Sequence, residues 1–313
     1  MVRHQNLLVI IAILWLAAII LAVKLQIHQV NINKNLTQHI AVNANGGCIT
    51  VAYGTHLYSQ ANLLDLWLPG EAGSTIHGVP YPVVIFIHGG AWAAGNKSMV
   101  QCSGIFTNNG YALASINYRL TSEAPYPAQI EDCKTAVSWL RGHAKIFKLD
   151  GNRIGVWGFS AGGHLAALLG TTCDTNAHAW ESPSEISSGV QAVCDWSGPT
   201  DLKTIAAQAG SHYVLAKAVD ALLGGTPEEK PALASEASPV NYVHKGCPPF
   251  LIVHGDKDTV VPLEQSKELA QDLKSAKSNC TLEIIPGANH DFGTEERVNR
   301  VVKFFDLVLK KHG

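Results

Sequence analysis

Gly158-Phe159-Ser160-Ala161-Gly162-Gly163 stands between an apolar run, Ile154 to Trp157, and a helix-prone run, His164 to Leu169. The pattern is a strand, a glycine-lined turn and a helix. Glycines on both sides of a serine allow a turn so tight that the hydroxyl is held up alone, with the next backbone N–H aimed where an oxyanion would form. Ser160 therefore reads as a nucleophile and the Ala161 amide as an oxyanion donor. The motif alone is a weak signal in a chain with 28 glycines. The competing reading is a Ser-Gly turn whose hydroxyl caps the following helix.

Working outward, Pro82 to Ile87 has the pattern of a buried strand and runs into His88-Gly89-Gly90-Ala91-Trp92. Small residues there leave backbone amides bare, so Gly90 and Ala91 are the expected remaining oxyanion donors. Downstream, Pro249 to His254 is another apolar strand, followed by Gly255-Asp256-Lys257-Asp258, and Leu282 to Ile285 leads into Pro286-Gly287-Ala288-Asn289-His290. Catalytic groups in open α/β sheets gather at the C-terminal ends of strands. Two aspartates compete to orient His290. Asp256, next to Gly255, is expected to bond the amides of its own turn, leaving Asp258 as the acid. The chain order Ser160, Asp258, His290 differs from the chymotrypsin and subtilisin orders.

Strands alternate with helices across the remainder, with Ser98 to Asn109, Ala128 to Ala144, Glu264 to Ala276 and Glu295 to Lys310 read as helices. This implies an α/β fold built on a doubly wound, mainly parallel sheet with helices on both faces. Between Ser197 and Gly246 the alternation lapses into small residues, prolines and short helical pieces, the place expected for a small lid, residues 197–246. Trp92, trailing the oxyanion loop, and Trp196, closing a strand near the site, are candidate walls of the substrate pocket. Arg119 reads as a structural tether, His88 as a turn-holding partner and His164 as packing.

These motifs, with Asn117-Tyr118-Arg119-Leu120, Ala124-Pro125-Tyr126-Pro127-Ala128, Asp195-Trp196-Ser197-Gly198-Pro199 and His254 to Pro262, resemble the α/β-hydrolase superfamily. The branch they resemble holds the hormone-sensitive-lipase-like esterases and the bifunctional feruloyl and acetyl-carbohydrate esterases. The resemblance covers roughly Leu63 to Leu309. Ala91 departs from it, standing where many hormone-sensitive-lipase relatives carry a third glycine. The resemblance implies an α/β-hydrolase fold and a serine carboxylic ester hydrolase acting on short acyl or aryl esters, acylated carbohydrates included. A serine peptidase of the prolyl-oligopeptidase kind shares the triad order, and a membrane-tethered, non-catalytic binding module is a second alternative.

The 313 residues suffice for one large α/β domain, expected over residues 49–313 after a linker at 27–48. Net charge is -2 with 15% charged residues and no basic stripe, which argues against nucleic acid as a partner. Seven scattered cysteines form no Cys-x-x-Cys pair and 14 histidines form no His-Glu-x-x-His motif, so no metal is expected, and the chemistry needs no cofactor. Leu7 to Val23 is an unbroken apolar run flanked by Arg3 and Lys24. Residues 1–26 are therefore expected to be a signal peptide or a membrane anchor, with the catalytic part exported. The oligomeric state is not legible.

Overall fold

The computed structural model describes residues 40–43, 48–54, 60–70, 80–173, 186–209, 213–291 and 293–310. The apolar run Leu7 to Val23 lies outside these; among the described residues no helix is long and apolar enough to cross a membrane. From Asn43 onward the described residues form one compact unit.

From Cys48 onward eight strands follow one another: β1 (Cys48–Ala52), β2 (Leu63–Trp67), β3 (Tyr81–Ile87), β4 (Ala112–Ile116), β5 (Leu149–Phe159), β6 (Ala192–Trp196), β7 (Phe250–Gly255) and β8 (Cys280–Ile285). A four-residue strand, Ile40–Asn43, precedes them. In the sheet the eight lie in the order β1-β2-β4-β3-β5-β6-β7-β8. β2 is antiparallel to both its neighbours, and every pairing from β4 to β8 is parallel. Parallel strands covered on both faces read as near-continuous apolar runs, and β4 and β6 are buried at every residue, with Ser115 and Asp195 as their polar members.

Register fixes where the site must be. Ile87 pairs with Gly158, Phe159 with Trp196, Trp196 with Val253 and Gly255 with Ile285, so the central strands end side by side. The loops that follow them share one edge of the sheet. On one face Val84, Phe86, Phe106, Trp157, Trp196, Val253 and Phe305 form a continuous core, each such side chain contributing on the order of 2 kcal/mol by leaving water. Helix α8 (Glu295–Leu309) closes that face with Val298, Val301, Val302, Phe305 and Leu309 at helical spacing, and its N-terminus is capped by the Thr294 side chain.

The other helices are α1 (Ser103–Asn108), α2 (Ala128–Gly142), α3 (Ala161–Thr171), α4 (Ile205–Ala209), α5 (Tyr213–Leu223), α6 (Pro231–Glu236) and α7 (Leu263–Ser275). The helix expected over Ser98 to Asn109 is in fact a one-turn 3-10 helix, Lys97–Met99, followed by α1. The sheet breaks it. Lys97 donates its amide to Asn117 Oδ1 and its ammonium to Asp65, while its carbonyl accepts from the Ser115 hydroxyl, so that carbonyl is withdrawn from any helix ladder.

Helix α3 is buried along its whole length and lies unusually close to the sheet. A Cβ on Gly162 would stand 2.0 Å from the Ile87 carbonyl oxygen, and one on Gly163 would stand 2.4 Å from Asp195 Oδ1. Asp195 is fully buried at the end of β6. Its Oδ1 accepts from the Gly198 amide at 2.9 Å, while Oδ2 has no hydrogen-bond partner among the described residues. Burial pushes its carboxyl up to about 6, against the opposing pull of the Gly198 amide and of His254.

Two stability measurements follow from this contact. Gly162→Ala should destabilise the fold by about 3 kcal/mol or more, because backbone cannot yield as a flexible side chain does; urea melts that coincide with the wild type would refute the tight approach. Asp195 binds its proton more tightly folded than unfolded. It therefore supports the fold fully only below about pH 4, and that support is lost as the pH rises through about 6. Asp195→Asn keeps the Oδ1 acceptor without the charge. It should raise the melting temperature by several degrees at pH 8 and hardly at all at pH 4; equal gains at both pH values, or a loss at pH 8, would contradict this.

Candidate active site

Ser160 sits between β5 and α3 with φ 57° and ψ −121°, and its side chain makes no capping bond to the helix. The helix-cap reading is thereby excluded. A left-handed φ at a non-glycine residue is strained by about 1 kcal/mol or more. It is held here by the Ser160 amide donating to the Trp196 carbonyl at 2.8 Å and by the Ser160 carbonyl accepting from the His164 amide at 3.0 Å.

The loop after β3 passes in van der Waals contact with this elbow. A Cβ on Gly89 would meet the Phe159 carbonyl oxygen at 3.0 Å and Ser160 Cβ at 3.3 Å. Gly90 has φ 110° and a Cβ there would fall 2.2 Å from the Ala94 carbonyl oxygen, so only glycine fits. The Gly90 carbonyl accepts from the amides of Ala93 and Ala94, and Ala91 and Trp92 follow at φ 54° and 56°. This run of left-handed residues curls the loop that carries Gly90 and Ala91 beside Ser160, while Ala161 opens helix α3 directly after it.

On the far side, His290 Nδ1 donates to Asp258 Oδ2 at 2.7 Å. The Asp258 side chain is fully buried and its four contacts use both oxygens. Oδ1 accepts from the amides of Val260 and Val261 at 2.8 and 2.9 Å, and Oδ2 also faces His254 Nε2 at 3.2 Å. Burial alone would raise this carboxyl, but the bonds from His254, His290 and the loop amides outweigh it and hold Asp258 well below the usual carboxylate range. The Phe159 ring packs on the His290 ring, centroids 4.9 Å apart.

The two aspartates divide their work differently from the sequence reading. Asp258 ties down its own turn as well as meeting His290. Asp256 reaches across to the neighbouring loop, where its Oδ1 accepts from the Gly287 amide at 2.6 Å. Sequence reasoning missed His254, whose second ring nitrogen bonds Ser266 Oγ at 2.7 Å; a histidine ending a buried strand just before the acid was the available signal.

Neither tryptophan is placed as a pocket wall. Trp92 is fully buried and its indole N–H donates to His164 Nδ1 at 3.1 Å, while Trp196 is buried edge-on against Trp157. His88 stacks on Tyr118 and its Nδ1 donates to the Gly89 carbonyl at 2.7 Å, a loop-holding role. Arg119 grips Asp132 with paired bonds at 2.8 to 3.0 Å and also Glu131 at 2.9 Å, as a tether does. Among the described residues no two cysteines are joined in a disulfide.

The BD-FAE family model matches residues 64–273, about two thirds of the chain. Esterase LipC of Mycobacterium tuberculosis is 33% identical over 248 residues, 77% of this chain and 59% of that protein, so the chain spans less than two thirds of that relative's length. Among solved structures, a truncated carbohydrate esterase from gut microbiota superimposes with a TM-score of 0.72 at 31% identity, covering 84% of this chain and 95% of that one. A propionate-bound esterase from Thermogutta terrifontis, Est2, gives a TM-score of 0.64 at 26% identity over 85% of this chain and 93% of that one. With the sheet order and the elbow already established, these matches show that the chain belongs to the BD-FAE family of α/β-hydrolase-fold proteins.

Proposed function

We propose that the protein is a serine carboxylic ester hydrolase acting through an acyl-enzyme on short acyl or aryl esters, acylated carbohydrates among them. The observation that carries the reading is the 2.7 Å bond from His290 Nδ1 to a buried, ionised Asp258, at the same sheet edge as the strained Ser160 elbow. Because Nδ1 keeps the proton with which it hydrogen-bonds Asp258, Nε2 is left with its lone pair to take the Ser160 proton. Ser160 Oγ attacks the ester carbonyl, the tetrahedral oxyanion forms against the amides of Gly90, Ala91 and Ala161, and the imidazolium returns its proton to the departing alcohol. Water, deprotonated by His290, then attacks the acyl-serine, and as the intermediate collapses His290 returns that proton to Ser160 Oγ and the acid is released. Each oxyanion donor is worth roughly 3 kcal/mol to such a transition state.

The substrate class is supported by the named relatives: an esterase, a carbohydrate esterase, and an esterase holding propionate, a three-carbon acid. For location, the run Leu7 to Val23 after Arg3 supports an exported catalytic domain, tethered or released.

A fluorophosphonate should label the wild type at Ser160, and Ser160→Ala should abolish both labelling and ester turnover while melting like the wild type. In a panel of nitrophenyl esters, acetyl to butyryl chains should be fastest, with rates falling beyond about eight carbons. Retained turnover in Ser160→Ala, or a peak at dodecanoyl, would contradict the reading. Deleting residues 1–26 should yield a soluble protein of undiminished specific activity, and aggregation or inactivity would remove the basis for the export proposal.

A further inference from the structure

We infer that Asn289 is a positioning residue of the site: its side-chain carbonyl clamps the Asp258 loop to the His290 loop and thereby sets the geometry of the acid–histidine pair. The inference rests on the hydrolase reading above and deepens it.

Asp258 and His290 sit 32 residues apart, at the ends of adjacent strands, and each is carried by a loop with little regular structure. At their roots the loops are joined by ordinary contacts. The Asp256 amide donates to the Ile285 carbonyl at 3.1 Å, the Lys257 amide to the Ala288 carbonyl at 2.9 Å, and the Gly287 amide to Asp256 Oδ1. A Cβ on Gly255 would stand 2.3 Å from the Ala288 carbonyl oxygen, so the roots touch.

Beyond the roots, three donors converge on one atom, Asn289 Oδ1. They are the Thr259 amide at 3.0 Å, the Thr259 hydroxyl at 3.0 Å and the His290 amide at 2.7 Å. Two of these are backbone N–H groups, which only donate, so the atom that receives them is the carbonyl oxygen and not the amide nitrogen. Thr259 directly follows the acid and Asn289 directly precedes the histidine. A single oxygen therefore joins the two residues that flank the catalytic hydrogen bond. Thr259 is solvent-exposed, so packing does little to hold that side of the loop and polar contacts are left to do it.

Misplacing a catalytic group by about 1 Å costs on the order of 100-fold in rate. Removing the clamp should therefore act on kcat and leave KM nearly unchanged. In the full chain, Asn289→Ala should lower kcat by about 10- to 100-fold with the melting temperature little altered. Asn289→Asp, which keeps the acceptor oxygen, should recover to within about threefold of the wild type. A merely structural asparagine would not give the next result. In the Asp258→Asn background, Asn289→Ala should cost less than about threefold more, since the pair it positions is already lost. Thr259→Val, which deletes only the hydroxyl's bond, should lower kcat by a smaller factor at unchanged stability, and it decides the matter if Asn289→Ala fails to fold. An active wild type with kcat unmoved in both Asn289→Ala and Thr259→Val, or fully multiplicative losses in the double variant, would overturn the positioning role alone. A wild type that neither hydrolyses esters nor takes up a fluorophosphonate at Ser160 would overturn the hydrolase reading with it.

Discussion

The approach of helix α3 to strands β3 and β5 governs the site, because Ser160 owes its position to it. Gly158 and Gly162 face one another so closely that a Cβ on the first would lie 2.0 Å from the carbonyl oxygen of the second, and Gly162 is just as tight against Ile87. No side chain could occupy either place. The contact forces the chain to reverse within one residue, and that residue takes φ 57°. The strain is of the order of a kcal/mol or two, small against the burial of all eleven residues of α3. Packing energy spread along a helix thus holds one backbone conformation that would not survive in a free loop. The same contact brings Gly89 against Ser160 and so places the curled loop of β3 beside the elbow.

The second requirement is electrostatic. A carboxylate whose side chain is removed from water ordinarily gains a proton, and Asp195 on the neighbouring strand does drift upward to about 6. Asp258 goes the other way because it meets two backbone amides and two imidazoles, where Asp195 meets one amide. The number of donors separates two buried aspartates on adjacent strand ends, one suited to holding a neighbour as an anion and one not. The same comparison explains why residue type alone did not settle the acid: Asp256 and Asp258 look alike as letters, and only the loop's path shows that one points to Gly287 and the other to His290.

What was legible in the sequence was what depends on local pattern. Apolar runs gave β3, β7 and β8 within a few residues because parallel strands buried on both faces are mostly apolar, and the start of β5 was missed because Asp150, Asn152 and Arg153 are polar and half-buried or exposed. The order of elbow, acid and histidine was legible because each lies just past such a run. Contacts made by one side chain across the fold were not. Lys97 is withdrawn from a helix by Ser115, Asn117 and Asp65, all on other elements. Trp92 reads as a pocket wall from its place after the oxyanion loop, yet its left-handed backbone turns it inward to full burial.

That inward turn has a structural use. Trp92 N–H is a donor only, so His164 Nδ1 must accept, and the ring's proton resides on Nε2, where it meets the Ala237 carbonyl at 2.7 Å. Burial lowers His164 to about 4, which keeps the ring in the neutral form this arrangement demands. One imidazole, rooted in the helix that begins at the elbow, therefore joins the oxyanion loop on one side to the segment following α6 on the other. The Tyr126 amide and hydroxyl add bonds to the carbonyls of Leu222 and Glu236 in the same region, 197–246, that reads as a lid from sequence. For that region to swing clear of the sheet it would have to break all three bonds, two of them buried. Its inner part is thus tied, through His164 and Trp92, to the loop beside Ser160.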